Sequence, residues 1–330
     1  MLHVVSWHSV VSTLAASGVV SSRDDIVSWE ELLHEGPVPG DVPREQLYAI
    51  RSDALARLGG WGEQDEIRHR FVGRARIVAD RAPRERVLLW FDADLVDQLE
   101  LLDLFDQLDR ARARDVVLIC LTEPSNGGQR HVEQLAPSQF QQLLERQQRV
   151  TSEQLALGRR AWEAFRSPDP RDLEELGGGL HESLPALAGA LQQYFQEFPW
   201  TTDGLARSER LTLQILAEGA TKVLELYRQH YERQDLPFVT LSTLFAQLSR
   251  LTAGPVPLIA RTDGDGFFVG GVPANHQVLE LTEAGRRVLA GELDAVAAHG
   301  IDRWLGGVHL ASGDAIWRWD SEAERLARTG

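Results

Sequence analysis

The first third of the chain alternates short apolar runs, rich in β-branched residues, with stretches whose apolar residues recur at helical spacing. Continuous apolar runs at 86–91 and 116–121 are typical of strands buried on both faces, and the leucine-rich stretch 95–108 between them is an amphipathic helix pattern. Strand, helix and strand in this order predict a right-handed crossover and parallel strands. Shorter strands are expected at 2–6 and 25–29. The pattern therefore predicts an α/β fold with a Rossmann-like parallel sheet, and we expect Val4, Val27, Leu89 and Leu118 to be buried in it.

The rest of the chain changes its pattern twice. Between 126 and 199 it becomes helical, with predicted helices at 138–149, 152–165, 169–176 and 184–198. From residue 200 three predicted helices, the first capped by Ser208, are followed by two short strands around a turn at 263–266, the order of a winged helix. The sequence thus predicts a Rossmann-like α/β domain over 1–125, a central helical segment over 126–199 and a winged-helix-like domain over 200–330.

Length and composition agree with a folded protein in the cytosol. At 330 residues the chain is roughly two domains long, and 43% hydrophobic with 25% charged residues is an ordinary globular composition. No apolar run approaches the roughly 20 residues that span a bilayer, and the N-terminus lacks the pattern of a signal peptide. The single cysteine, Cys120, excludes an intramolecular disulfide framework. We therefore expect a cytoplasmic protein without a membrane partner.

Polar and titratable residues follow each predicted strand. Because parallel strands deliver their following loops to the same edge of a sheet, we expect these residues to meet in one cleft. The segment that follows the fourth strand, 122–128, also contains polar and glycine residues. The candidate catalytic residues are His34, Glu35 and Asp94, and the candidate binding residues are Ser6, His8, Ser9, Gly36, Arg51, Asp92 and Gln98.

Each of these residues also has a structural interpretation. Ser9 and Asp94 precede predicted helices, where serine and aspartate commonly act as N-caps. Asp92 and Asp94 flank one residue, so they fit an exposed turn as well as a pair that binds a metal or shares a proton. His34 stands before a Gly-Pro turn and fits a solvated side chain there.

Established cofactor and catalytic motifs are missing from the sequence. We find no strict zinc-ligand spacing, no G-x-G-x-x-G after the first strand, no Walker A motif and no G-x-S-x-G. The sequence therefore predicts no metal site and names no cofactor.

Charge argues against nucleic acid as a partner. The net charge of -15 opposes binding to phosphate, and the predicted recognition helix at 240–251 has Arg250 as its one cation. Asp263 and Asp265 in the predicted wing would repel a phosphate backbone. We expect this domain to contact a protein partner rather than duplex DNA.

Two sets of motifs resemble known bacterial families. The segment Leu-His-Glu-Gly-Pro-Val at 33–38 and the segment from Phe91 to Leu99 resemble the family called domain of unknown function 1835. Segments at 199–209, 281–285 and 304–310 resemble its frequent companion, domain of unknown function 3658. In domain of unknown function 1835 the first strand usually leads into Gly-Asp-Ser. Here the corresponding residues are Trp7-His8-Ser9, of which only the serine matches. The resemblance implies no known reaction.

Two functions of different classes fit these observations. In the first, a ligand-binding or adaptor protein holds a small anionic or nucleotide-like ligand at the carboxyl edge of the sheet and contacts a partner through its winged helix. In the second, a hydrolase or transferase acts on a phosphorylated or nucleotide-like substrate, with His34 or Glu35 as general acid or base and Asp94 as an orienting group. The missing acid after the first strand favours the ligand-binding protein.

Overall fold

The computed structural model describes residues 1–122, 131–219, 221–262 and 277–329. These residues form a mixed α/β protein with fourteen α-helices and a five-stranded, mostly parallel sheet. The chain divides into two compact units: the first comprises 1–34, 39–49 and 68–191, and the second 35–38, 50–67 and 192–330. The segment 126–199, expected to be helical, contributes to both. Among the described residues, no helix combines the length and the apolar character that crossing a membrane requires.

The elements have the following bounds. The strands are β1 (Leu2–Val5), β2 (Ile26–Ser28), β3 (Val87–Asp92), β4 (Val116–Leu121), β5 (Gln148–Val150), β6 (Thr221–Lys222), β7 (Ile259–Arg261), β8 (Val278–Leu281), β9 (Asp302–Leu305), β10 (Val308–Ala311), β11 (Ile316–Asp320) and β12 (Arg325–Thr329). The α-helices are α1 (His8–Ala16), α2 (Arg44–Leu58), α3 (Gln64–Arg81), α4 (Leu95–Arg110), α5 (Pro137–Leu144), α6 (Ser152–Phe165), α7 (Arg171–Glu174), α8 (Gly177–Ser183), α9 (Pro185–Gln196), α10 (Arg207–Ala217), α11 (Val223–Glu232), α12 (Leu241–Thr252), α13 (Glu283–Leu289) and α14 (Ala295–His299).

The sheet of the first unit has the strand order β2-β1-β3-β4-β5. The first four strands are parallel, as predicted, with Val4 opposite both Val27 and Leu89. Val4, Val27 and Leu89 are buried, as expected from their apolar runs. The expectation for Leu118 is wrong: this side chain is partly exposed because it lines a cavity on one face of β4.

The predicted helix at 138–149 is wrong in its second half. Helix α5 ends at Leu144, and residues Gln148–Val150 form β5, which pairs antiparallel with β4. Two of the three residues of this short edge strand are exposed and polar, so the sequence shows no apolar alternation there. Residues 148–150 form a strand because the backbone groups along the free edge of β4 are available for pairing. The side-chain pattern of the sequence does not indicate this pairing.

Helices α4 and α6 pack closely beside the sheet. A Cβ atom placed on Gly158 of α6 would lie 2.4 Å from Cδ2 of Phe105 on α4. The absence of a side chain at this position therefore sets the distance between the two helices, which carry much of the buried apolar surface of the first unit.

In the second unit, α10, β6, α11, α12, β7 and β8 follow one another along the chain. The strands form an antiparallel sheet in the order β6-β8-β7, and two hairpins, β9–β10 and β11–β12, follow. Helix α10 has Ala206, not the predicted Ser208, as its N-cap. The predicted wing turn at 263–266 and the strand at 267–269 lie outside the described residues.

Candidate functional site

Helix α4 carries carboxylates at every third position from its N-cap onward. Asp94, Asp97, Glu100, Asp103 and Asp106 are each at most 4% exposed. Residues three apart on a helix are neighbours on its surface, so these five side chains form one row, which we call the acidic row. Buried carboxylates are costly unless charges or hydrogen bonds compensate them.

The lower half of the acidic row is compensated by arginine. The Arg44 guanidinium pairs with both Asp103 and Asp106, and Arg110 pairs with Asp106 at 2.8 Å. The indole N–H of Trp29 also donates to Asp103, at 3.2 Å. These carboxylates are therefore engaged in ion pairs and hydrogen bonds that stabilise the first unit.

The upper half lies against the carboxyl end of β3 and accepts hydrogen bonds from a serine hydroxyl and from backbone amides. Asp97 accepts the hydroxyl of Ser6 at 2.5 Å and the backbone N–H of Asp92 at 2.6 Å. Asp94 caps α4 by accepting the backbone N–H of Asp97 at 3.1 Å, so its predicted N-cap role is confirmed. The Gln98 amide donates to the carbonyl oxygen of Asp92 at 2.6 Å.

His131 brings an imidazole to this end of the row. Its Nδ1 lies 3.2 Å from Oδ2 of Asp92 and 3.3 Å from Oδ2 of Asp94. The backbone N–H of Val132 donates to both oxygens of Asp92, at 3.0 and 3.1 Å. One oxygen of Asp92, one oxygen of Asp94 and a ring nitrogen of His131 all lie within 4.8 Å of one another. We call these three residues the Asp-Asp-His cluster.

Burial and mutual repulsion disturb the ionisation of these groups. Burial raises the pKa of Asp92 to about 6, and the charge of Asp94 acts in the same direction against the hydrogen bond from His131. Burial, followed by the charges of Asp94 and Asp92, raises the pKa of Asp97 well above its ordinary value. Burial alone would lower the pKa of His131, but its bonds to the two aspartates raise it to about 11. The cluster thus favours a positive charge at the imidazole.

The two halves of the row therefore differ in their counter-charges. Within the described part of the chain, no arginine or lysine forms an ion pair with Asp92, Asp94 or Asp97, and His131 is the basic group that contacts two of them. Two carboxylate oxygens and one imidazole nitrogen are a ligand set that divalent transition metals accept. The arrangement is thus able to hold a cation, or to move a proton between imidazole and carboxylate.

The structure brings four of the predicted residues together: Ser6, Asp92, Asp94 and Gln98. His8 and Ser9 lie at the start of α1 and are exposed. Ser9 is the second residue of that helix, whose N-cap is Trp7, and its hydroxyl donates to Glu133 at 3.1 Å. The capping role considered for Ser9 is therefore wrong. His34 belongs to the first unit and is buried.

Glu35, Gly36 and Arg51 belong to the second unit. There Glu35 Oε2 lies 3.3 Å from Nη1 of Arg250. The buried Arg51 donates to the carbonyl oxygens of Glu35, at 2.7 Å, and of Pro37, at 3.3 Å. These contacts shape the loop at 35–38, where Gly36 has a φ of +76°. Arg51 thus has a structural role in this loop.

Sequence reasoning missed His131. The residue follows the segment 123–130, which lies outside the described residues and includes most of the polar stretch expected after the fourth strand. A signal for the rest of the cluster was available: acids recur at every third residue of a helix whose other positions are largely leucine. That spacing makes each acid the surface neighbour of the next, and it extends the predicted pair of aspartates into a buried row.

No family model matches the chain, and a search of curated proteins finds no similar sequence.

Proposed function

We propose that this chain is a cytosolic ligand-binding protein whose first unit, a Rossmann-like domain, holds a divalent transition-metal ion in the Asp-Asp-His cluster and recruits a small anionic or nucleotide-like ligand through it. The observation that carries the proposal is the convergence of Asp92, Asp94 and His131 at the carboxyl end of β3, a central strand of the sheet. Ligands of open parallel sheets bind at this edge.

A bound cation would allow an anionic ligand to bind beside the carboxylates at this edge. Asp92, Asp94 and Asp97 are each at most 4% exposed and would repel a phosphate or carboxylate that approached them directly. A divalent ion bound to two of them would neutralise their charge and offer an oxygen of the ligand a cationic centre to bind. Three protein ligands also leave coordination positions open for an oxygen of the ligand.

The metal is tested first, without any ligand. The full chain, freed of metal with EDTA, is titrated with Mn²⁺ and with Zn²⁺ in a calorimeter. We expect one ion per chain with a dissociation constant below about 100 μM, and a loss of at least tenfold in Asp94→Asn and in His131→Gln. Asn at position 94 keeps an oxygen for the helix cap, so the first variant separates ligation from folding.

Matched controls are available on the surface of the same unit. Asp80→Asn and His69→Gln remove an exposed carboxylate and an exposed imidazole, and we expect both variants to bind the ion like the parent chain. The proposal is refuted if neither ion binds more tightly than about 1 mM, or if the cluster variants bind as well as these controls. The dissociation constant of inorganic phosphate is then measured with and without the bound ion. The proposal requires phosphate to bind more tightly when the ion is present.

We propose that the second unit includes a winged-helix-like domain that contacts a protein partner. The order α10-β6-α11-α12-β7-β8 with an antiparallel three-stranded sheet supports this assignment. Arg250, the cation of α12, is paired with Glu35 and lies 3.8 Å from Glu209, so phosphates would have to compete for it. We expect no binding to random duplex DNA below about 1 μM at 150 mM salt, measured by fluorescence anisotropy. Submicromolar binding with a steep salt dependence would refute this part.

A hydrolase or transferase remains the second candidate, favoured by the open coordination positions of the same cluster. Asp92, Asp94 and His131 would hold the metal, which would supply Lewis-acid polarisation of a phosphoryl oxygen. In this alternative His34 and Glu35 are the acid/base candidates, although Glu35 is ion-paired with Arg250 in the second unit. Hydrolysis of p-nitrophenyl phosphate that requires Mn²⁺ and is lost in Asp94→Asn would favour it. The membership in the two families named above is likewise a proposal, supported by the motifs alone.

A further inference from the structure

The first unit has a cavity of about 400 Å³ on the face of β4 that carries Leu118 and Cys120. Its other walls come from α4, from β5 and the loop before it, and from the first turn of α9. A volume of this size fits a small molecule with roughly ten to twenty non-hydrogen atoms. Several leucine side chains make part of the lining apolar.

Two arginines line this cavity without counter-charges. Arg146 and Arg149 form no side-chain hydrogen bond or ion pair with any residue in the described ranges, and no carboxylate is among the described residues of the lining. Both side chains are exposed, so their guanidinium groups are accessible to a ligand at the mouth of the cavity. The first turn of α9, at Pro185, adds the positive end of a helix dipole to the same lining.

We propose that this cavity is a binding site for an organic anion: a molecule with an apolar body and one carboxylate, sulfonate or phosphate group. Arg146 and Arg149 would hold the anionic group, because guanidinium groups bind such oxygens with strong, directional hydrogen bonds. The leucines and the thiol-bearing face of β4 would contact the apolar body. Arginine side chains, and not a metal ion, would bind the ligand at this site.

The inference goes beyond the proposed function because it rests on residues outside the Asp-Asp-His cluster. Gln98 connects the two places: its side chain lines the cavity and donates to the carbonyl oxygen of Asp92. A ligand in the cavity therefore lies beside the amide that supports the cluster. The two sites are tested separately, since the cavity requires no cation and the cluster requires no organic anion.

The test uses 8-anilinonaphthalene-1-sulfonate, a fluorescent organic anion, on the full chain in the presence of EDTA. We expect saturable binding of one molecule at micromolar concentration. The double variant Arg146→Ala/Arg149→Ala should bind at least tenfold more weakly, because two charge-assisted contacts are lost. N-phenyl-1-naphthylamine, which has the same aromatic body without the sulfonate, should bind the parent chain more weakly and be unaffected by the double variant.

Chemical labelling of the single cysteine tests whether the molecule binds in this cavity. Cys120 lines the cavity and is partly exposed, so N-ethylmaleimide should label it slowly, and the bound sulfonate should slow the labelling further in the parent chain but not in the double variant. The matched control is Arg76→Ala/Arg84→Ala, which removes two exposed arginines from the same unit. It should bind the sulfonate like the parent chain, and an unchanged thermal midpoint shows that each variant folds.

Three results would overturn the proposal: equal binding of the sulfonate by the double variant and its control, equal binding of the neutral analogue by the parent chain, or labelling of Cys120 that ignores the bound sulfonate. The outcomes also separate this site from the metal. If Mn²⁺ fails to bind while the sulfonate binds through the two arginines in EDTA, the cluster proposal fails and this one stands. The reverse pattern rejects the cavity alone.

Discussion

His230 makes the stability of the second unit depend on pH. The side chain is 1% exposed, and its Nε2 lies 2.6 Å from the hydroxyl of Thr212, which also accepts the Gln247 amide at 3.2 Å. These three residues join α11, α10 and α12. Burial, helped by the charge of Arg233, lowers the pKa of His230 to about 4. The imidazole is therefore neutral in the folded protein at pH 7.

The direction and size of the effect follow from linkage. In the unfolded chain His230 has its ordinary pKa of 6.5, so the unfolded state takes up a proton as the pH falls below that value while the folded state does not. The stabilising contribution is complete above pH 6.5 and is lost progressively as the pH falls toward 4. Between pH 7 and pH 5 the free energy of unfolding should fall by about 2 kcal/mol through this one group.

Urea unfolding at pH 7 and pH 5 measures this loss, with His230→Gln as the comparison. Gln cannot take up a proton, so the variant should lose about 2 kcal/mol less than the parent chain over the same interval. The comparison is needed because His3, in the first unit, has its pKa lowered to about 4 by burial as well. Hydrogen exchange of the amides in α10, α11 and α12 reports the second unit locally. Identical pH dependence in both chains would refute the reasoning.

Substitutions at three further positions test a helix contact, a buried ion pair and a helix cap. Gly158→Ala should destabilise the first unit by about 1 to 3 kcal/mol in urea unfolding, although alanine is the better helix former, because its Cβ would lie 2.4 Å from Phe105; a gain in stability would contradict the close helix contact. Glu197→Gln should cost about 3 kcal/mol, since it removes a carboxylate 3.5 Å from the buried Arg303, and a neutral effect would show that the pair is dispensable. Thr240→Ala should cost about 1 kcal/mol by removing the N-cap of α12, whereas Thr240→Ser should cost less.

Periodicity predicted the strands that are buried on both faces and missed the exposed edge strand β5. The run at 86–91 is apolar throughout, and it forms β3 with the expected parallel neighbours. Strand β5 has two exposed polar residues out of three, so backbone pairing with β4 decides its conformation. Leu118 is apolar but partly exposed, because burial depends on what packs over a strand and not on the strand's own composition.

The candidate site was predictable to the extent that it follows from topology. Asp92, Asp94 and Ser6 lie at or just beyond the carboxyl ends of neighbouring parallel strands, and the rule that such ends share an edge indicates their proximity. His131 is not reached by this rule, since it does not directly follow a strand. The pairing of Arg250 with Glu35 joins residues 215 positions apart, and no spacing in the sequence indicates it.

The two halves of the acidic row show that position in the fold, rather than residue type, decides which groups surround a buried carboxylate. Asp103 and Asp106 are as deeply buried as Asp94 and Asp97, yet the first pair meets Arg44 and the second pair meets groups without a permanent charge. An arginine stays charged at any pH that a protein experiences, so it fixes the charge of its partners. An imidazole nitrogen can release its proton, or can bind a metal ion in place of the proton. The end of the row at the edge of the sheet is therefore the end where the charge is able to change.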